Sequence, residues 1–444
     1  MITQKKTLVI IGAGHAGISA ALSAAKLRSK LNKKAEIDII VISRNSYMTI
    51  RPRMYIKELE EATIRVKNFL TPIKVRFIEA EVINIDSQSQ SITISDSKKQ
   101  QKELHFDSLV LCAGSELAKP KIKGIETVYN IDTYKAAVHL RDALTDFLLK
   151  TKSNKSQNNK IKVAVLGGGI TGIELACELP VTLKKLSFEL GLESTFDLEV
   201  SIVDRGDVTY SLGEDPQKYL VDAFKLANVK CLNHASITEA TQIEADKGSV
   251  TINDKALEFN FIVSALGMKA TDLNKLLSYD KDRAGRIKVN QYLQTPNENI
   301  FIAGDAANVK VDDEHDAVMS CQQGRPQGRL AGHNAILHLL DIPEMEEYYQ
   351  PNYVTCVDLG DYGGIYTEGW ERKVKKFGME AREIKKHINL ERIYPPNRRD
   401  EIGIFEEAGE LQFIAPHESH ETAKKAKWEC CNLSNNWDPL QTFV

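Results

Sequence analysis

The stretch Thr7-Leu-Val-Ile-Ile11, followed directly by Gly12-Ala-Gly14-His-Ala-Gly17, decides the reading of this chain. An unbroken apolar run reads as a strand buried on both faces of a parallel sheet. The glycines fall at the turn after it. A small-residue helix through Ala20, Ala21, Ala24 and Ala25 follows, and a second strand comes at Ile37 to Ile42. This is a βαβ unit with glycines where a pyrophosphate needs donors unobstructed by side chains. The first glycine permits the tight turn, the second lets backbone N–H groups approach the ligand, and the third lets helix pack on strand. The helix N-terminus adds free N–H groups and aligned dipoles that favour negative charge.

The same grammar returns at Ile161-Lys-Val-Ala-Val-Leu166, then Gly167-Gly-Gly169-Ile-Thr-Gly172, a helix from Ile173 and a strand Leu198 to Val203. Two such units, each between a strand and a helix, make chance a poor explanation. The polar stretch Lys150 to Lys160 between the halves reads as an exposed loop. Phe261-Ile-Val-Ser-Ala-Leu-Gly267 and Ile300-Phe-Ile-Ala-Gly304-Asp305 are strands ending in small residues, where backbone can approach a ligand closely. From about Tyr348 the texture changes to shorter strands, a charged helix from Trp370 to Glu391 and a Pro395-Pro396 break. The expected fold class is α/β. Two Rossmann-like dinucleotide-binding domains (1–135 with 285–347, and 136–284 inserted into the first) precede a C-terminal α+β interface domain at 348–444.

At 444 residues the chain exceeds one ordinary core. A net charge of −3 sets up no field to gather nucleic acid, so no nucleic-acid partner is expected. Seven cysteines without C-x-x-C spacing suit a reducing compartment. With neither an h-region nor an apolar run near the length of a bilayer span, a cytoplasmic location is the default. The ten histidines lack ligand spacing, so no metal is expected.

In the second unit Asp204 closes the strand Val200-Ser-Ile-Val. There its carboxylate can accept from ribose hydroxyls and would repel a 2′-phosphate, which favours NADH, although adjacent Arg205 softens that preference and leaves NADPH open. In the first unit the strand ends at Ser43-Arg44, where an acid is usual. Ser43 can hydrogen-bond a ribose hydroxyl more weakly.

These motifs, with Leu109-Val-Leu-Cys-Ala113-Gly114 and Ile173-Glu174, occur in the order and spacing of the pyridine-nucleotide-dependent flavoprotein reductases. Over roughly residues 5 to 345 the chain most resembles type II NADH dehydrogenases and apoptosis-inducing-factor-like flavoproteins. The resemblance implies FAD on the first unit, held by Gly12, Gly14, Gly17, Ser43, Arg44, Val82, Ala113, Gly114, Gly304 and Asp305. It implies NAD on the second, held by Gly167, Gly169, Gly172, Asp204 and Gly267.

The departures decide the chemistry. The redox cysteine pair of the disulfide reductases is missing, and Asn45-Ser-Tyr-Met-Thr-Ile50 carries no cysteine where single-cysteine relatives have one. Cys356 resembles a cysteine of the sulfide:quinone reductases but has no partner in the second glycine loop. Cys321 and Cys356 are therefore read as structural, and adjacent Cys430 and Cys431 as neither ring disulfide nor metal site. Gln322-Gln323-Gly324 matches a turn beside the isoalloxazine in the dehydrogenases, and Glu174 a glutamate near the flavin–nicotinamide stack. A carboxylate there can orient the nicotinamide and relay protons, or merely complement its helix dipole. His15 is expected to pack over the pyrophosphate, and Arg51 and Arg53 to contact phosphate, line an acceptor entrance or form surface ion pairs.

The leading expectation is a single-FAD oxidoreductase passing electrons from NADH to a quinone-type acceptor, with Glu174, Gln322 and Gln323 as catalytic candidates. The alternatives are reduction of a small ferredoxin- or rubredoxin-like protein, and a redox-sensing flavoprotein whose NADH-dependent reduction changes a dimer or partner surface. Trp370, Val374, Phe377, Ala381, Ile384 and Ile388 recur at helical spacing among lysines and arginines. That face can lie on an anionic membrane through 370–391, at its inner side, or dock on the domain's own core.

Overall fold

A computed structural model describes residues 5–153, 160–192, 197–409 and 411. The N-terminal part folds as β1 (Lys6–Ile11), α1 (His15–Lys30), β2 (Ile37–Ser43), β3 (Arg76–Glu79) and β4 (Ser108–Leu111). The middle supplies β5 (Tyr129–Asn130), β6 (Lys160–Leu166), α2 (Ile170–Glu189), β7 (Asp197–Val203), β8 (Val229–Leu232) and β9 (Phe261–Ser264). The chain then returns through β10 (Ile300–Ile302) and α3 (Cys321–Leu339), and ends in β11 (Val354–Asp358), β12 (Gly364–Glu368), β13 (Lys373–Phe377) and α4 (Gly378–His387).

The first sheet has the order β10-β4-β1-β2-β3 and the second β5-β9-β6-β7-β8. Every pairing in both is parallel. Leu8 to Ile10 and Val163 to Leu166 are wholly buried, as strands covered on both faces must be. These are the two dinucleotide-binding units read from the glycine motifs. The second sheet already includes Tyr129, which pairs with Val263, so that unit begins ahead of the expected boundary at 136.

Helix α3 crosses α1 at backbone distance, which the helix patterns alone did not disclose. A Cβ on Gly328 would stand 2.0 Å from the Ala16 carbonyl oxygen, and one on Gly332 2.2 Å from that of Ala20. Glycines and alanines at four-residue spacing thus form one contact stripe. Gly304 packs onto the same crossing, with a Cβ there 2.7 Å from that of Ala16.

The polar stretch expected as a loop is helical up to Ser153, and 154–159 lie outside the described residues, as do Cys430 and Cys431. The continuous helix expected from Trp370 to Glu391 is corrected. Lys373–Phe377 form a strand antiparallel to β12, and the helix begins only at Gly378, whose φ of +65° breaks the extended run. Trp370 stacks between His315 and Tyr353, with ring centroids 4.2 and 4.5 Å away. Ala381 is wholly buried, and Lys385, expected on the solvated face, is buried too. The apolar stripe is therefore split between a strand and a short helix, and much of it faces the domain's own core. Among the described residues no helix is long and apolar enough to cross a membrane.

Candidate functional site

The two glycine loops share one geometry. Gly12 (φ +107°) and Gly167 (φ +110°) turn where a Cβ would meet the carbonyl oxygens of Cys112 (2.2 Å) and Ala265 (2.5 Å). At Gly17 and Gly172 a Cβ would strike the oxygen of the first glycine of its own loop, at 1.9 and 2.0 Å. Gly14 and Gly169 differ: a Cβ on either meets nothing within 4 Å, and each caps its helix without a side-chain hydrogen bond. Neither helix has an acid in its first turn. Open space, free N–H groups and the positive end of a helix dipole thus converge at each middle glycine, which fits a pyrophosphate.

Gly114 (φ +71°) and Gly267 (φ +79°) likewise open on free space at the ends of β4 and β9. Ser115–Leu117 pairs antiparallel with Met268–Ala270, which brings these two turns, one from each unit, to a common junction. Gly304 presents its backbone there with φ +73°, its N–H held by Gln327 Oε1 at 2.7 Å. Asp305 accepts from Ser115 Oγ at 2.5 Å. Arg51 joins the same set, donating to Ser115 and to Asp132. Arg53 is instead buried, bonded to Tyr394 and 3.1 Å from Glu61.

At the adenosine end Ser43 lies in register with Glu79 of β3. An acid thus stands on the strand beside the end of β2, a candidate that the linear sequence did not single out. Ala80 N–H donates to the Ser43 carbonyl at 2.9 Å and leads into the strand that carries buried Val82. Arg44 is exposed beside them. In the second unit Asp204 accepts from Gly168 N–H and Gly206 N–H, both at 2.7 Å. Its carboxylate is therefore fixed against the glycine loop and keeps lone pairs for a ribose.

Glu174 is buried one turn into α2, with Oε1 2.7 Å from Lys385 Nζ and accepting from Asp358 N–H at 3.0 Å. Burial pushes its carboxyl up, and the Lys385 ammonium draws it part of the way back. Burial alone would lower Lys385, but the groups facing it, Glu174 first among them with Asp358, together outweigh it and hold the ammonium above its ordinary value. Lys385 also donates to the Cys356 carbonyl at 2.9 Å. The turn after β11 packs directly on α2 at Gly360, where a Cβ would lie 2.2 Å from the Cys177 carbonyl oxygen. The sequence singled out Glu174 and did not single out Lys385.

The two glutamines differ. With its amide oriented to satisfy both neighbours, Gln322 donates to Val354 O (3.0 Å) and accepts from Val354 N–H (3.1 Å), which ties α3 to β11. Gln323 is wholly buried, accepts from Val318 N–H at 2.6 Å and keeps an unpartnered amide donor at the helix N-terminus. Burial raises Cys321 and pushes Cys356 up to about 12.

His15, Ile18, Ser19 and Leu22 form one face of α1 and line a small cleft with Met48, Arg325 and Tyr394-Pro395-Pro396. His15 Nε2 has no partner, and burial, with Arg325 and Arg51 nearby, lowers the imidazole to about 3. The ring is neutral throughout the working range. It turns toward this cleft, not solely over the glycine loop.

A family model described as pyridine nucleotide-disulphide oxidoreductase matches residues 6–328. An NADH dehydrogenase-like protein of Mycobacterium tuberculosis is 36% identical over 394 residues, spanning 88% of this chain and 94% of that protein. A type II NADH:quinone oxidoreductase of Staphylococcus saprophyticus is 24% identical over 89% of this chain and 96% of its own length. The structure of NDH2 from Plasmodium falciparum in complex with NADH superposes with a TM-score of 0.74 at 14% identity, covering 91% of this chain and 98% of that one.

Proposed function

The chain belongs to the pyridine nucleotide-disulphide oxidoreductase family, as an enzyme coupling NADH to a flavin, and within it we propose an NADH:quinone-type oxidoreductase that works through FAD. The flavin, when bound, supplies the two-electron carrier between donor and acceptor. Gly12, Gly14 and Gly17 hold its pyrophosphate, with Glu79 and Ser43 at the ribose and Gly304-Asp305 at the ribityl chain. Gly167, Gly169 and Gly172 hold the pyridine nucleotide, and Asp204 selects NADH over NADPH. Glu174, kept in place by Lys385 and the Asp358 amide, orients the nicotinamide. Gln323 turns its free amide donor to the flavin end of α3.

The observation that carries the acceptor assignment is the cleft at His15. Its walls set Ile18, Leu22, Met48 and Pro395 beside the polar His15, Ser19 and Arg325, so the edge of a carbonyl-bearing ring would meet both apolar cover and hydrogen-bonding groups there. Burial raises the thiols of Cys321 and Cys356 and so weakens them as nucleophiles, which argues against a route through a disulfide at these two residues. The name of the staphylococcal relative supports the same acceptor class.

His15→Trp, which fills the cleft from a half-buried position, tests the assignment. It should leave flavin bleaching by NADH unchanged and slow re-oxidation by a short-chain quinone. Equal re-oxidation in variant and wild type would remove the cleft from the account.

A further inference from the structure

One turn beyond Glu174, α2 carries a second buried acid that the proposed mechanism does not use. Glu178 is only 3% exposed. Its Oε2 stands 3.4 Å from Arg382 Nη2, and Arg382 Nε lies 3.6 Å from Asp358 Oδ1. Tyr55 donates to Asp358 Oδ2 at 3.3 Å from the loop following β2. Glu174, Glu178 and Asp358 therefore share a buried junction with two cations, Lys385 and Arg382. Three carboxylates against two bases leave one negative charge in excess, and a low-dielectric site relieves such an excess by retaining a proton.

Position decides which acid retains it. Glu174 has the ammonium at 2.7 Å and a backbone N–H, both favouring its anion. Asp358 accepts from Gly360 N–H and faces Arg382 and Tyr55. Glu178 has only the longer Arg382 contact. Lys185 on its own helix and Glu58 from the loop after β2, both partly exposed, face it from the solvent side and pair with each other at 3.3 Å.

We propose that Glu178 is a proton-holding residue that works through the Glu174–Lys385 pair, exchanging with solvent on the Lys185–Glu58 side. Burial, with Asp358 beside it, raises the carboxyl to about 7 against the opposing pull of Arg382. Reduction of a quinone by NADH takes up one proton beyond the transferred hydride, giving NAD⁺ and the quinol. Glu178 passes its proton to the Glu174 carboxylate one turn away, Glu174 delivers it to the quinone oxygen and returns to its anion, and solvent then reprotonates Glu178. The inference rests on the proposed function for the destination of that proton and on the geometry of the junction for its source.

The test uses the full chain loaded with flavin, in wild-type, Glu178→Gln, Glu178→Asp and Arg382→Met forms. Re-oxidation after anaerobic reduction by NADH is followed with a short-chain quinone and with ferricyanide, which takes electrons and no proton. Proton uptake during the NADH step itself is read with an indicator dye in weak buffer. In wild type the quinone step should fall as pH rises through about 7. Glu178→Gln should flatten that profile and slow the step about tenfold at pH 6, with the ferricyanide rate unchanged. Glu178→Asp should restore an inflection, and Arg382→Met should move it to higher pH. An unchanged inflection in Glu178→Gln, or equal slowing with both acceptors, would overturn the proposal. If wild type reduces no quinone, the quinone assignment falls. The proton-holding role is then decided by the dye: loss of pH-dependent uptake in Glu178→Gln upholds it, and identical uptake refutes it.

Discussion

Replacing Lys385 by Met removes the ammonium 2.7 Å from Glu174 while keeping the length of the side chain. Both side chains are under a tenth exposed, so Glu174 would be left as a buried charge whose remaining support is the Asp358 amide. Breaking one partner of such a pair costs about 3–5 kcal/mol. At about 2 °C per kcal/mol, suited to a chain of this length, the unfolding midpoint should fall by roughly 6–10 °C. Glu174→Gln should also destabilise, because it strands the ammonium. The double variant should lose less than the sum of the two by about 2 kcal/mol, since neither charge then remains. The pH dependence has a definite sign. Lys385 sits above its ordinary value, so its stabilising share is complete across pH 5–8 and adds no slope there. Without it Glu174, already raised by burial, rises further. The folded chain then keeps a proton that the unfolded chain releases above about pH 4.3, so the penalty is smallest near pH 5 and grows toward pH 8. Thermal unfolding followed by tryptophan fluorescence at both pH values reads all of this. Strictly additive single variants, or a penalty independent of pH, would refute the buried pair.

Three further outcomes follow from the cradles and thiols. Gly172→Ala places a Cβ 2.0 Å from the Gly167 oxygen, a clash of about 1–3 kcal/mol. It should weaken NADH binding in calorimetric titration while flavin absorbance is retained, whereas Gly17→Ala should lose flavin. Asp204→Ala removes the acceptor of two backbone N–H groups. It should cut kcat/KM for NADH by roughly 10–100-fold, about 1.5–3 kcal/mol, and raise the NADPH:NADH ratio; an unchanged ratio would exclude Asp204 as the selector. Cys321→Ser and Cys356→Ala should keep NADH oxidation within a factor of about three, roughly 0.7 kcal/mol of barrier. A loss of two orders of magnitude in either would return thiol chemistry to consideration.

The glycine cradles were legible in the sequence because backbone geometry allows little else at those positions. A side chain at Gly12, Gly17, Gly167 or Gly172 collides with main-chain oxygen, so the spacing is a direct trace of the turn. The buried strands and the order of the units were legible for a similar reason, since an uninterrupted apolar run admits few placements. Contacts set by register or by distant elements were not. Glu79 reaches Ser43 only because β3 pairs with β2, and Lys385 reaches Glu174 across 211 residues, where the turn after β11 packs directly on α2 at Gly360. The 370–391 stretch misled because its apolar residues satisfy helical spacing, whereas within Lys373–Phe377 only the exposure alternates, with Val374 and Lys376 partly buried and Phe377 exposed. Pairing with β12 decided for the strand. Arg51 and Arg53, two residues apart, were indistinguishable in sequence and separate into a junction residue and a buried structural one.

Anaerobic stopped-flow on the flavin-loaded wild-type protein tests the central claim most directly. Mixing with NADH should bleach the flavin rapidly, NADPH should do so far more slowly, and a second mix with a short-chain quinone should restore the oxidised spectrum at a rate matching turnover. Rapid bleaching with no re-oxidation by quinone would contradict the account and assign the electrons to a protein acceptor or to redox sensing.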